Sequence, residues 1–218
     1  LPVGIPAKIK RIQKETKIPY VEIHTHDDLG NAVENTMAAV RAASGLYDKI
    51  YVSTTFLGIG ERAGNAETEK IIMNCYLHHN VCKWNLKPLR ETANFIASAL
   101  NYHLPLNKAI VGDSAFAHES GIHVHGVMAL PLTYEIIPPE LVGHDRAIII
   151  GKRSGKHGIQ MQVEEITGGK IDADDPRLAA LVEIIKNEYA NSERKYPIEE
   201  MEFEELIRKV GFKIKRGT

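Results

Sequence analysis

Apolar residues at Ile5, Ile9 and Ile12, with lysines between them, predict an amphipathic helix over Pro6 to Thr16. After Ile18-Pro19, the run Tyr20-Val21-Glu22-Ile23-His24 is short and rich in β-formers and reads as a strand. Asp27, Asp28 and Gly30 mark a turn. Asn31 then opens a helix to about Ala43, with Val33, Met37 and Val40 on one face and Gly45 as its stop. Lys49 to Thr55 predicts a second strand. A loop carrying Gly58, Gly60 and Gly64 leads into a further helix from about Glu67 to His78.

This alternation of helix and strand with short connections is the pattern of a parallel sheet. Two parallel strands do not make a stable sheet alone, because such strands need neighbours on both sides and helices over both faces. The opening helix also implies a strand before it, and a closed (β/α)8 barrel takes about 250 residues. The expected fold class is therefore α/β: residues 1–87 form the C-terminal part of a (β/α)8 TIM barrel, its last two strands, and 88–218 a mostly helical subdomain. In that second region Leu89 to Leu100 reads as a helix and Pro105 to Gly112 as a loop. A segment with His118, His123 and His125 follows, with His144 further on. An apolar stretch from Ala147 to Ile150 precedes the turn-rich Gly151 to Gly155. Two last helices are expected over Asp175 to Ala190, with an N-cap Asp and an early Pro, and over Ile198 to Val210. The chain opens on Leu1 and reads as a piece of a longer polypeptide. Such a piece is expected to expose Val21, Ile23, Ile50 and Val52 and therefore to associate.

Composition narrows the function classes without choosing among enzymes. The 218 residues are 44% hydrophobic and 25% charged with a formal net charge of -1, ordinary for a globular protein. With only 6% aromatic residues and no basic stripe, nucleic-acid binding is not expected. No apolar run approaches ~20 residues, so no membrane span is expected, and the first residues show no charged-then-apolar pattern that would lead one to expect secretion. Cys75 and Cys82 are read as reduced core thiols of a cytoplasmic protein.

Three clusters can carry chemistry. His24 and His26 lie two apart at the end of a strand, so both imidazoles face one side and can reach one metal ion. Asp27 and Asp28 can orient an imidazole or bind water there. The plainer alternative is a pair of surface histidines. In the loop Gly58-Ile-Gly60-Glu-Arg62-Ala-Gly64-Asn65, the glycines allow backbone to approach a ligand. Arg62 suits a carboxylate or phosphate, and Asn65 offers a weak metal ligand. The alternative is a tight strand-to-helix turn with Arg62 paired to a surface Glu. Finally, His123 and Tyr134, eleven residues apart, can serve as base and acid, although clustered histidines often only cap helices.

Taken in order, several signatures resemble one family. They are His24-Thr-His26-Asp-Asp28-Leu-Gly30-Asn31, Gly58-Ile-Gly60-Glu-Arg62-Ala-Gly64-Asn65, Asn107-Lys-Ala-Ile-Val-Gly112, Phe116-Ala-His118-Glu-Ser-Gly121-Ile-His123, Thr133-Tyr134-Glu135 and Gly151-Lys-Arg-Ser-Gly155. Together they are similar to the homocitrate, isopropylmalate and citramalate synthases of the DRE-TIM metallolyase superfamily. The resemblance implies a divalent metal ion (Zn, Mn, Mg or Fe), held by His24 and His26 with a carboxylate from a strand before Leu1 and with Asn65 nearby. It implies acetyl-CoA as co-substrate of a 2-oxo acid, with His123 and Tyr134 deprotonating or polarising it, and Gly58, Gly60 and Arg62 in the substrate loop. It further implies a homodimer that exchanges subdomains, or association with an N-terminal chain, in which case this chain alone is a catalytically incomplete subunit. Homocitrate synthase is the first expectation and 2-isopropylmalate or citramalate synthase the alternative. The related lyase carries a cysteine in its glycine loop, and this loop has none. One departure stands out: Asp27 occupies a position where the family usually has Asn, placing an extra anion beside the two histidines.

Overall fold

The computed structural model describes residues 2–81, 83–152, 154–191 and 197–215. The chain falls into two compact units, Leu1–Ala115 and Phe116–Thr218. In the first, helix α1 (Ile5–Thr16) precedes strand β1 (Tyr20–His24), α2 (Ala32–Ala43), strand β2 (Lys49–Ser53), a tight turn at Phe56–Gly58, α3 (Thr68–His79) and α4 (Leu89–Ala99). β1 and β2 pair in parallel, in register from Tyr20 opposite Lys49 to His24 opposite Ser53.

Strand alternation sorts these side chains onto two faces. Ile23 is buried with Ile9, Ala39, Ala43 and Tyr47, and Val21 and Ile50 pack against that cluster. Val52 packs against Ala32, Met37, Ala66 and Ile71. The expected exposure of Val21, Ile23, Ile50 and Val52 is therefore corrected: α1, α2 and α3 cover them. Tyr20, Glu22 and Tyr51, on the opposite face, are the exposed ones. The reason is the amphipathic helices themselves, whose apolar stripes bury the apolar strand face within the unit.

Residues beyond 87 extend this unit. Ala93 and Ala97 of α4 and Val111 bury Leu57, so α4 packs under the turn that follows β2. The first unit thus runs past the sequence-based boundary at residue 87. Cys75 is a half-buried free thiol pushed up from its ordinary pKa by burial, while Cys82 lies outside the described residues.

The second unit is built from strand β3 (Ala117–His118), α5 (Gly121–Ala129), strand β4 (Ala147–Ile148), α6 (Lys156–Thr167), α7 (Pro176–Asn191) and α8 (Glu200–Lys209). β3 and β4 pair in parallel, His118 opposite Ile148. The core joins Ile159 and Val163 of α6, Leu178, Leu181 and Ile185 of α7, and Phe203 and Ile207 of α8. α7 begins as its sequence indicates, with Asp175 Oδ1 accepting the Arg177 N–H at 2.8 Å. Helices α5 and α6 were not among the expected elements. Glycines at 121 and 126 and three histidines near α5 blur its period, and α6 follows a turn-rich run that carries no N-cap side chain. Among the described residues, no helix is long and apolar enough to cross a membrane.

Candidate functional site

β1 ends at His24, and the chain continues extended through His26. His26 pairs antiparallel with Asn65, flanked by backbone bonds from Ala66 N to Thr25 O (3.3 Å) and Asp27 N to Gly64 O (2.9 Å). Directly opposed residues in such a pair send their side chains to the same face. The glycine loop is thereby stitched to the strand end, which brings Asn65 alongside His26. His24 Nε2 and His26 Nε2 lie 3.3 Å apart, with the rings nearly perpendicular at 88°. His24 Nδ1 contacts Ser53 Oγ at 3.2 Å, so β2 orients this imidazole, a role expected of Asp27 or Asp28. With the proton on Nδ1 the Nε2 lone pair is free.

These atoms can be tested against a metal ion. Two imidazole nitrogens bound ~2.0–2.1 Å from one ion at a tetrahedral angle are ~3.3 Å apart, which matches. Asn65 is 8% exposed and its Oδ1 is buried without a hydrogen-bond partner. Two Nε2 atoms at that separation, with a buried, unspent acceptor on the residue bridged to His26, fit a divalent cation. Among the described residues no group of three His, Cys, Asp or Glu side chains converges, so no carboxylate completes the set.

The two aspartates are engaged elsewhere. Asp27 Oδ1 accepts the Ala32 N–H at 2.6 Å and so holds the start of α2. Asp28 takes two bonds from Arg62, Nε to Oδ1 at 2.9 Å and Nη2 to Oδ2 at 3.3 Å. The guanidinium holds the Asp28 carboxyl below its ordinary pKa. Arg62 is thus paired to an aspartate of the other loop, and a substrate anion would have to compete with it.

The glycine loop keeps its shape through contacts that the sequence did not advertise. Leu57 sits at φ 62°, a costly region for a branched side chain. Its N–H donates to Glu69 Oε2 (3.1 Å), and its carbonyl accepts from Lys108 Nζ (3.3 Å), which also pairs with Glu67 Oε1 at 2.6 Å. Glu69 is fully buried, and burial pushes its carboxyl above the ordinary value. Gly64 is required locally, since a Cβ there would stand 2.1 Å from the Gly58 carbonyl oxygen, and at Gly60 a Cβ would stand 2.2 Å from Asn65 Nδ2 and crowd that amide. Lys108 lies in the Asn107–Gly112 run, where a lone lysine before apolar residues was the available signal.

In the second unit the structure brings His123 and Tyr134 together. Their ring centroids are 4.5 Å apart with planes at 44°, and both side chains are exposed, Tyr134 at 44%. His123 lies in the first turn of α5, whose N-cap is Ser120. Tyr134 follows the turn Pro131–Thr133, and its ring lies against Gly126, where a Cβ would be 2.5 Å from Cε2. His118 bonds Glu135, and His144 is buried against Phe116, so neither joins the exposed pair. The side chain of His125 is outside the described residues.

Two family models match this chain: an HMGL-like model over residues 1–96 and a homocitrate synthase post-HMGL domain-like model over residues 110–193. The 2-isopropylmalate synthase of Methanocaldococcus jannaschii is 45% identical over 160 residues, 72% of this chain and 30% of that protein. Homocitrate synthase AksA of Methanopyrus kandleri is 35% identical over 211 residues, 96% of this chain and 50% of that protein. Homocitrate synthase 1 of a Nostoc species is 42% identical over 159 residues, 72% of this chain and 41% of that protein. The two matched models define a class, proteins with an HMGL-like domain followed by a homocitrate synthase post-HMGL domain. Within it, the chain belongs to the homocitrate and 2-isopropylmalate synthase family. It spans half or less of the length of these relatives.

Proposed function

We propose that the chain is part of a cytoplasmic, divalent-metal-dependent acyltransferase that joins acetyl-CoA to 2-oxoglutarate, a homocitrate synthase. The observation that carries this is the 3.3 Å approach of His24 Nε2 and His26 Nε2, with an unspent amide oxygen on Asn65, the residue bridged to His26. A bound cation would supply Lewis acidity toward the ketone of a 2-oxo acid. Toward that cation, His24 and His26 provide neutral nitrogens, Ser53 fixes the His24 ring, and Asn65 adds an oxygen. The missing ligand is a carboxylate from residues outside this chain, within a closed (β/α)8 barrel whose interior takes the exposed face of β1 and β2. Gly58 and Gly60 leave room at the substrate loop, and Arg62 shapes it through Asp28.

His123 accepts a proton from the acetyl methyl at a ring nitrogen, while the Tyr134 hydroxyl donates to the thioester oxygen. The new C–C bond forms to the ketone carbon, and water then cleaves the thioester to release CoA and the tricarboxylate. Working partners are a second copy exchanging subdomains, or an N-terminal chain bearing the remaining strands.

The choice of 2-oxoglutarate rests on the extent of likeness. The AksA homocitrate synthases align over 96% and 90% of this chain, against 72% for the M. jannaschii isopropylmalate synthase. The 45% identity of that same protein supports the alternative, 2-isopropylmalate or citramalate synthesis.

Intact and native mass spectrometry would identify the assembly. Acetyl-CoA-dependent CoA release would then be followed with 2-oxoglutarate, 2-oxoisovalerate and pyruvate. The expected result is fastest turnover with 2-oxoglutarate, lost on chelation and in His24→Ala. An assembled enzyme that releases no CoA with any of the three acids would end this reading.

A further inference from the structure

We propose that Glu135, clasped by Arg146 and His118, is a positioning residue that sets the Tyr134 phenol against the His123 imidazole. This rests on the acid–base role proposed for that pair and adds the machinery that would hold it. The Glu135 side chain is 3% exposed, and a carboxylate so buried persists only where its oxygens are met by donors. They are met fully: Arg146 donates Nε to Oε1 at 2.7 Å and Nη2 to Oε2 at 2.6 Å, and His118 Nε2 lies 3.2 Å from Oε1.

Those donors come from separate segments that are themselves tied together. His118 ends β3, Arg146 immediately precedes β4, and the Ile149 N–H donates to the His118 carbonyl at 2.9 Å. Three residues after His118, α5 begins, and His123 stands in its first turn. Glu135 therefore links the entry of the helix that bears His123 to the residue that follows Tyr134. Burial alternates from Tyr134 to Pro139, with Glu135, Ile137 and Pro139 inward and Tyr134, Ile136 and Pro138 outward. Anchoring position 135 fixes the direction in which 134 projects, and Gly126 gives the phenol ring a flat seat against α5. An exposed reactive pair on a buried, fully bonded support is how a site keeps its geometry before substrate arrives.

The device predicts a defect in proton transfer without a defect in 2-oxo acid binding. In the assembled acetyl-CoA-condensing enzyme, Glu135→Gln is expected to lower kcat by about tenfold to a hundredfold. KM for the 2-oxo acid should stay within about twofold, as expected when only a transition-state interaction is lost. The kinetic isotope effect with methyl-deuterated acetyl-CoA should rise, because abstraction becomes the slow step. Loss of folded protein would lower kcat without moving that isotope effect. His118→Ala, which removes one of the three bonds, should lower kcat by about tenfold with the same rise, and His118→Gln, which restores a donor, should recover most of it. The two His118 variants carry the test if Glu135→Gln does not fold.

Unchanged kcat and isotope effect in His118→Ala would overturn the inference. So would a kcat loss with the isotope effect unmoved. His123→Ala and Tyr134→Phe separate this from the underlying reading. If both leave turnover intact, the acid–base assignment fails; if they abolish it while His118→Ala is normal, only the positioning role fails.

Discussion

Replacing Gly60 with alanine separates the ligand-holding role of the glycine loop from its folding role. A Cβ at residue 60 would stand 2.2 Å from Asn65 Nδ2 and 2.8 Å from Asn65 Cγ. Ordinary contact requires ~3.5 Å, so the amide must retreat by about 1.3 Å. Gly60 is not among the glycines at positive φ, so alanine meets no backbone strain there. Crowding costs about 1–3 kcal/mol, since the group that must give is the Asn65 side-chain amide and not backbone. Binding should suffer more: a ligand displaced by that distance is expected to weaken divalent-cation affinity by about 10–100-fold. Competition against a chelating dye would measure this, with thermal unfolding in chelator run in parallel. Gly64→Ala is the contrast, since its Cβ would meet the Gly58 carbonyl oxygen at 2.1 Å on a residue at φ 93°. There the backbone itself must move, and a loss of ~3 kcal/mol or more in stability is expected. If Gly60→Ala and Asn65→Ala both bind the cation as tightly as the parent, Asn65 is no ligand and the reasoning fails.

Asp27→Ala should cost about 1 kcal/mol in urea unfolding, because the carboxylate holds the Ala32 N–H. Asp27→Asn keeps an acceptor and should cost only a few tenths; a large loss would mean the charge serves the histidines instead. Lys108→Met removes the bridge from Glu67 Oε1 to the Leu57 carbonyl and is expected to destabilise the first unit by about 2–3 kcal/mol. Fluorescence of Trp84 during unfolding would report it, and an unchanged midpoint would remove the clamp from Leu57. In the second unit, Arg146 and His118 hold the Glu135 carboxyl below its ordinary value of 4.5. The folded carboxylate thus binds a proton less readily than the unfolded one. The pair's stabilisation is complete above that value and is lost as pH falls through the lowered one. Hydrogen exchange over residues 116–152 should rise as pH falls below 4.5 in the parent, with a smaller change in Glu135→Gln. Equal acid sensitivity in both would show that Glu135 is not the titrating group.

Several elements of both units were legible because their signals are local. The Ile5, Ile9, Ile12 stripe, the β-rich Tyr20–His24 run and the capped start of α7 each carry their own period or stop signal. α5 was not legible, since Gly121, Gly126 and its histidines give no clear stripe and no side chain caps its start. The convergence of His24 and His26 could be read from spacing alone, because i and i+2 on extended backbone always share a face. Their Ser53 partner could not, since it depends on the register of β1 against β2.

The sequence by itself determined the periodic elements, the parallel pairing they imply, and the residue types able to bind a cation or move a proton. Tertiary structure alone decided which side chains spend that capacity on each other. Asp27 turned to the start of α2, Asp28 closed on Arg62 thirty-four residues away, and Glu135 drew in His118 and Arg146. It also decided that Val21, Ile23, Ile50 and Val52 lie under helices. The physical reason is range. Backbone periodicity is set by neighbours within a few residues, whereas burial and the pairing of buried charge are set by whichever distant segments the packed core brings within hydrogen-bonding reach.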